Sequence, residues 1–147
     1  MRLTTGLDTN ILCYSLDPAY PEHHRVKDLL LSLSPEKAVA VNPTVIHESY
    51  HTLGYGQKFT RAEASSRLGL LLIHPYIFFL NQTRRTCQIG LDVADRYGLG
   101  GSDALILANY IGGKVPVIYT HDKDLLALQR IVWRSASLEI RDPLVTS

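Results

Sequence analysis

Strand signals and helix signals alternate along the whole chain of 147 residues, and this alternation constrains the fold more than any other feature. The clearest strand is the β-branched, apolar run at 115–119, which is typical of a strand buried on both faces. Shorter β-prone runs occur at 3–7, 37–41, 76–79 and 137–140. Helices between strands act as crossover connections, which produce a mostly parallel sheet covered on both faces. The sequence therefore predicts a three-layer α/β/α sandwich with a central sheet of four to five strands.

Capping residues locate the helices between these strands. Asn42 followed by Pro43 is typical of an N-cap and a first helical position, and Thr60 with Glu63 forms a capping-box pattern. Ser102 is predicted to cap a further helix that Gly112 and Gly113 end. The remaining helices are predicted at 10–15, 21–33, 83–97 and 123–128.

The composition indicates one domain, residues 1–147, without strong overall charge. The net charge of +1 excludes nucleic-acid binding by overall cationic charge, so an RNA-binding role needs a local basic surface. Cys13 and Cys87 form no disulfide framework, no secretion signal is visible, and no apolar stretch reaches the roughly 20 residues that span a bilayer. We therefore expect a cytoplasmic protein without membrane contact.

Four carboxylates are predicted to gather at the edge of the sheet where open parallel sheets bind ligands. Asp8 closes the first strand and Asp122 follows the strongest one. Glu48 and Asp103 lie in early turns of helices that begin at the same edge. Each acid alone also fits an ordinary structural role, such as an N-cap or a first-turn acid. Together they would repel one another, and Mg²⁺ or Mn²⁺, which take oxygen ligands and activate water, would remove that repulsion.

These residues resemble, in order and context, the motifs of PIN-domain ribonucleases, and most closely those of VapC-type toxins. The motifs are residues 7–10 (LDTN), Glu48, residues 101–106 (GSDALI) and residues 120–124 (THDKD). The resemblance spans essentially the whole chain. It implies a PIN-like fold and a Mg²⁺- or Mn²⁺-dependent endoribonuclease. It also implies a homodimer that a small antitoxin protein neutralises at the acidic groove.

The resemblance also assigns roles to single residues. Asp8 and Asp122 would be direct metal ligands, and Asp103 and Glu48 would complete the metal site or act through water. Together these four would form the catalytic group that orients a water for attack on an RNA phosphodiester. The supporting polar groups would be Thr9, Asn10, Thr120 and Asp124. The sequence departs from the pattern at Leu125, where many members of the family carry an aromatic residue.

Residues 47–51 (HESYH) match the H-E-x-x-H motif of zinc peptidases, which is the main alternative. A helix would place His47 and His51 on one face, as such a site requires. Catalytic zinc needs three protein ligands, however, and Gln57 stands where the metzincin pattern has its third histidine. The motif also leaves Asp8, Asp103 and Asp122 without a role. The nuclease interpretation is therefore favoured over a peptidase. A catalytically silent binding module of the same fold is a further alternative.

Aromatic and sulfur side chains are predicted to pack rather than to bind ligands. Tyr14, Tyr50 and Trp133 are expected at packing or interface positions, and Cys13 and Cys87 are expected to fill the core. In the helix at 83–97 the predicted buried stripe consists of Cys87, Leu91, Ala94 and Tyr97.

Overall fold

The structure is a computed structural model that describes residues 4–56 and 59–145, and its centre is a six-stranded sheet flanked by helices. The strands lie in the order β3-β2-β1-β4-β6-β5, and all neighbours pair in parallel except β5 with β6. Their bounds are β1 (Thr4–Leu7), β2 (Ala38–Val41), β3 (Ile77–Phe79), β4 (Val117–Tyr119), β5 (Arg130–Trp133) and β6 (Ala136–Arg141). The predicted α/β sandwich with a mostly parallel sheet is confirmed. Leu3, which was included in the first predicted strand, lies outside the described residues.

The sheet has one strand more than the expected four to five, and the additional strand is β5. It pairs antiparallel with β6, for example through Ile131 opposite Leu138. Only Ile131 of its four residues is buried, and a run of four residues is too short to indicate a strand by its pattern. The turns on either side contain Gln129 and Arg134 in left-handed backbone conformations (φ 63° and 54°). Such turns usually contain glycine, so their sequence gave no turn signal.

The helices within the described ranges follow the predicted positions with three differences. The predicted helix over 21–33 is two short helices, and the helix after Pro43 continues through Gly54 to Gly56. The third helix to differ begins at Gly101 with Gly100 as its N-cap, so Ser102 lies in its first turn and caps nothing. The bounds are α1 (Thr9–Leu16), α2 (His23–Val26), α3 (Asp28–Leu31), α4 (Pro43–Gly56), α5 (Arg61–Leu72), α6 (Arg84–Tyr97), α7 (Gly101–Gly112) and α8 (Lys123–Leu128).

The predicted buried stripe of α6 is wrong for two of its four residues. Cys87 is exposed and Leu91 is 73% exposed, whereas Ala94 and Tyr97 pack partly against the core. The buried residues of the helix are instead Thr86, Ile89, Gly90 and Val93. The absence of a side chain at Gly90 brings α6 close to α7, since a Cβ there would lie 3.6–3.7 Å from Leu105 and Ala108. Helix–helix packing therefore determines which face of α6 is buried.

A buried tyrosine fixes α7 against the centre of the sheet. The hydroxyl of Tyr110 donates to the carbonyl oxygens of Leu7 (2.5 Å) and Ala40 (3.2 Å), at the ends of β1 and β2. Its ring covers Gly6, where a Cβ would lie 2.8 Å from two ring carbons, so the close approach requires glycine. Because Asp8 directly follows Leu7 and Asp103 lies on α7, this contact also sets the distance between the two acidic segments.

Within the described ranges we find no helix with the length and apolarity needed to cross a membrane.

Candidate active site

The four predicted carboxylates line one pocket of about 330 Å³. Asp8 follows β1 directly and Asp122 follows β4, while Glu48 comes from α4 and Asp103 from the first turn of α7. All four therefore lie beside one another although they are distant in sequence. The remaining pocket residues are Thr9, Asn10, Cys13, Tyr14, Tyr20 and Thr52. A larger cavity of about 490 Å³, beside α2 and α3, contains none of the predicted site residues.

Asp8 is the most enclosed of the four carboxylates, at 6% exposure. As the N-cap of α1, its Oδ1 accepts a hydrogen bond from the Thr9 backbone N–H (2.8 Å). Its Oδ2 accepts a hydrogen bond from the Thr120 hydroxyl (2.7 Å). Burial raises the pKa of Asp8 to about 6, against these two hydrogen bonds, and the negative charges of Asp103 and Glu48 add to the increase. The carboxylate is thus fixed in orientation but costly to ionise.

Thr9 and Thr120 connect the acids to one another. The Thr9 hydroxyl donates to Glu48 Oε1 at 2.6 Å, which ties α1 to α4. Thr120 Oγ1, besides donating to Asp8, accepts the backbone N–H of Asp122 at 3.1 Å. Both threonines are therefore placed where they hold pairs of carboxylate-bearing segments together.

Asp122 and Asp103 both lie at the N-terminal end of a helix. Asp122 is the N-cap of α8, and its Oδ1 accepts the backbone N–H groups of Asp124 (2.8 Å) and Leu125 (3.2 Å). Asp103 is half-buried, and burial raises its pKa, followed by the negative charges of Asp122, Glu48 and Asp124. Asp124 itself is exposed and does not line the pocket.

Asn10 lies in the pocket and accepts the backbone N–H of His121 with its Oδ1 (3.3 Å). The His121 ring is exposed, and its Nδ1 contacts Asp142 Oδ2 at 2.7 Å. The sequence interpretation missed Asp142, although it directly follows β6 and thus obeys the same strand-end rule as Asp8. It also missed Tyr20, and it assigned Tyr14 to a packing or interface position and Cys13 to the core, whereas all three line the pocket.

The donor chemistry of the pocket fits a hydrated divalent ion. Its acids supply only oxygen ligands, and their mutual repulsion is what a cation would relieve. Across residues 4–56 and 59–145, no three His, Cys, Asp or Glu side chains are grouped closely enough to hold one ion by themselves. Mg²⁺ usually keeps several waters and takes one or two carboxylates, so carboxylates spaced around a pocket are compatible with it.

The histidines of the H-E-x-x-H motif do not belong to this pocket. His47 and His51 are both exposed on α4, and neither lines the pocket that contains Glu48. The His51 ring stacks on Tyr55, with 5.0 Å between ring centroids. Since the described ranges contain no three-ligand group, a zinc peptidase site has no support there. Gln57, at the place of the missing histidine, lies outside the described residues.

Comparison with the curated proteins found no match. Among solved structures, the VapC20 toxin of Mycobacterium tuberculosis has a TM-score of 0.69 at 17% identity, covering 84% of this chain and 94% of that one. FitAcB of Neisseria gonorrhoeae has a TM-score of 0.65 at 20% identity, covering 95% and 97%. A toxin-antitoxin complex of Klebsiella pneumoniae has a TM-score of 0.64 at 17% identity, covering 95% and 97%. At these identities the likeness concerns the fold. The PIN domain family model matches residues 7–131, which is most of the sequence, and the chain belongs to the PIN domain family.

Proposed function

We propose that residues 1–147 form a single nuclease domain, a divalent-metal-dependent endoribonuclease that is the toxin of a VapBC-type toxin-antitoxin pair. The observation that carries the proposal is the convergence of Asp8, Glu48, Asp103 and Asp122, from four separate elements, on one pocket. Membership of the PIN domain family supports nuclease chemistry there. The raised pKa values of Asp8 and Asp103 favour a cation as the natural counter-charge.

In this proposal Asp8 and Asp122 hold the ion, and Glu48 and Asp103 complete its surroundings directly or through water. When bound, Mg²⁺ or Mn²⁺ supplies charge neutralisation at the phosphodiester and a water of lowered pKa. The chain contributes positioning. Thr120 holds Asp8 and the Asp122 backbone, and Thr9 holds Glu48, so the acids need little rearrangement when RNA and metal arrive.

The test is cleavage of RNA by the purified protein with Mg²⁺ or Mn²⁺, with and without a chelator. We expect Asp8→Asn and Asp103→Asn each to reduce the cleavage rate by at least about 10- to 100-fold, because metal sites lose that much even when only their supporting residues change. Asp95→Asn is the matched control, since Asp95 is an exposed acid on α6 outside the pocket. Full activity in both pocket variants would contradict the assignment. DNA of the same sequence serves as the comparison substrate.

A small antitoxin protein and a second copy of the chain are the partners we propose, in the cytoplasm. The M. tuberculosis structure is described as a Sarcin-Ricin loop cleaving toxin, and the K. pneumoniae structure as a toxin-antitoxin complex. On this chain, an apolar groove of about 360 Å³ between α1, α3 and α5 exposes Leu31 (75%) and Leu70 (63%). Lys27 and Arg67 also line it, so an amphipathic antitoxin segment with acidic residues beside its apolar ones is complementary to it.

The partner proposal is tested by co-expression with the product of a neighbouring short reading frame. We expect Leu70→Glu to prevent recovery of the complex, because it places a charge in the apolar groove. Leu91→Glu is the control, since Leu91 is 73% exposed but lies on α6, outside the groove. Equal recovery of both variants would contradict this docking surface. Sedimentation equilibrium of the purified chain separately tests the homodimer.

A further inference from the structure

Three aromatic rings form a row beside the carboxylates, and we call them the aromatic wall: Tyr20, Tyr14 and His121. Tyr14 and Tyr20 line the same pocket as the four acids. The Tyr14 ring is the middle one. Its centroid lies 5.0 Å from that of Tyr20 and 6.2 Å from that of His121, and both neighbours are nearly perpendicular to it (65° and 70°). The pocket therefore combines an acidic side with an aromatic side.

The three rings come from different segments, each positioned by its own contacts. Tyr14 projects from α1, the helix that Asp8 caps. The turn after α1 places Tyr20, because the buried Asp17 accepts the Ala19 N–H with its side chain (2.9 Å) and the Tyr20 N–H with its carbonyl (3.2 Å). His121 is held by Asn10 through its backbone and by Asp142 through its ring. The arrangement is thus built by tertiary structure.

Burial in the core explains the wall only in part, although Tyr14 and Tyr20 each pack against core side chains. Tyr14 and Tyr20 are only partly buried, His121 is exposed, and two of the rings face a pocket lined by charged groups. An aromatic ring that borders a phosphate-processing pocket offers a π surface to a nucleobase, and such stacking tolerates any base. Bases in an RNA duplex are already stacked on one another, so only an unpaired base can be splayed onto a protein ring.

We propose that the aromatic wall stacks an unpaired nucleobase next to the cleaved phosphodiester and so positions the RNA for the carboxylates. The inference rests on the proposed nuclease function and adds to it the side chains that hold the nucleotide beside the cut. Tyr14 acts here as a substrate-positioning residue. The carboxylates act on the phosphodiester, and the wall holds the neighbouring nucleotide in place, whatever its base.

The test combines a protein variant with an RNA variant. A pool of short single-stranded RNAs of random sequence is first cleaved by the wild-type protein with Mg²⁺, and the preferred cut is located by sequencing. That RNA is then synthesised with an abasic site on one side of the cut or the other. RNA binding is measured in proteins that carry Asp103→Asn, so that the RNA is not cleaved. Three such proteins are compared: one with Tyr14 unchanged, one with Tyr14→Leu and one with Tyr14→Phe.

We expect one abasic position to weaken binding roughly 5- to 150-fold, the range for loss of one base–aromatic stack. Tyr14→Leu should weaken binding of the intact RNA by a similar factor and make the abasic change nearly neutral, since the two changes remove the same contact. Tyr14→Phe keeps the ring and should bind like the unchanged protein. A hairpin that base-pairs the flanking nucleotides should be cleaved more slowly than the open strand.

The inference would be overturned if the losses of affinity from the abasic site and from Tyr14→Leu multiplied when both are combined. Equal cleavage of paired and unpaired RNA would overturn it as well. Either result would leave the nuclease function intact. Absence of any metal-dependent RNA cleavage by the wild-type protein would instead refute the proposed function, and the inference with it. Thermal unfolding checks that the Tyr14→Leu variant is folded. If that variant is unfolded, binding of the intact and the abasic RNA is compared in the Tyr20→Leu variant instead.

Discussion

At the scale of single residues, Asp8 carries a conflict between stability and function. It is almost fully enclosed, yet its proposed role requires a negative charge. Its pKa rises from 3.8 to about 6 on folding, so the folded chain binds this proton more tightly than the unfolded chain. The contribution of Asp8 to stability is therefore most favourable below about pH 4, decreases as the pH rises to about 6, and stays at the lower level above that. The charged group destabilises the fold at neutral pH by about 2–3 kcal/mol, at 1.36 kcal/mol per pKa unit.

From this we predict that Asp8→Asn stabilises the metal-free protein. The Asn side chain can still accept the Thr9 N–H and can donate to Thr120 Oγ1, and it removes the buried charge. In urea unfolding with a chelator present, the free energy of unfolding at about pH 8 should rise by about 1–3 kcal/mol, and the decrease between about pH 4 and 6 should become smaller. A variant less stable than wild type at about pH 8 would mean that the ionised carboxylate does not lower the free energy of unfolding.

At the scale of elements, the site depends on how α7 is fixed to β1. Tyr110 on α7 bonds to the carbonyl of Leu7, and its ring occupies the space that a side chain at Gly6 would need. Since Asp8 directly follows β1 and Asp103 lies on α7, a change in the packing of these two elements alters the distance between the two acids. The core and the pocket are therefore linked through one ring.

We predict that Gly6→Ala destabilises the protein by about 1–3 kcal/mol, because the added methyl overpacks a filled core. Gly69→Ala is the matched control. Gly69 lies in α5 with nothing within 4 Å of an added Cβ, so alanine should stabilise the helix by about 0.5–1 kcal/mol. Urea unfolding of the two variants measures the contrast. A similar effect of both substitutions would show that the Tyr110 ring moves aside at little cost.

Helix α4 allows a second prediction, because neighbouring residues on it face different surroundings. Glu48→Gln should reduce RNA cleavage by about 10- to 100-fold, since it alters a side chain in the pocket. His47→Ala and His51→Ala should leave cleavage unchanged, because both histidines are exposed and outside the pocket. Loss of activity together with loss of stoichiometric zinc in the histidine variants would revive the peptidase interpretation.

Elements also show what the sequence can predict. The ends of the first and fourth strands are identifiable from the sequence, and the acids that follow them, Asp8 and Asp122, line one pocket. Asp142 was missed because the last strand was predicted to end at 140, whereas β6 continues to Arg141. The exposed side of α6 was predicted wrongly because close packing at Gly90 determined the helix's rotation, and local spacing contains no information about the partner helix. The position of Tyr20 depends on a turn without periodic pattern.

At the scale of the whole molecule, the net charge is close to zero although four carboxylates are grouped at one place. The net charge is +1 over 147 residues, yet Asp8, Glu48, Asp103 and Asp122 share one pocket. Only two ion pairs occur among the described residues, His121 with Asp142 and Arg141 with Glu139, so none of these four acids is neutralised by a basic side chain. A cation bound among these carboxylates is therefore expected to stabilise the fold.

We predict that Mg²⁺ or Mn²⁺ raises the unfolding temperature of the wild-type protein at neutral pH. Mass action gives about 2.7 kcal/mol of stabilisation at an ion concentration 100 times the Kd. Asp103→Asn should largely abolish the increase, whereas Asp95→Asn should retain it. Calorimetry with increasing metal concentration distinguishes these outcomes, and an equal increase in both variants would place the bound ion elsewhere on the chain.

The two sides of the pocket differ in how deeply they are built into the fold. Asp8 directly follows β1 and Asp103 lies on α7, and Tyr110 holds these two elements together in the core. Tyr20 and His121 instead lie on connections between elements. Substitutions along the connections change the surface offered to a substrate without disturbing the core, whereas substitutions at the acids or beneath them affect folding and chemistry together. Under the proposed function, the side chains that would contact RNA can therefore be substituted with little effect on folding, whereas those that would cut it depend on the same contacts that keep the protein folded.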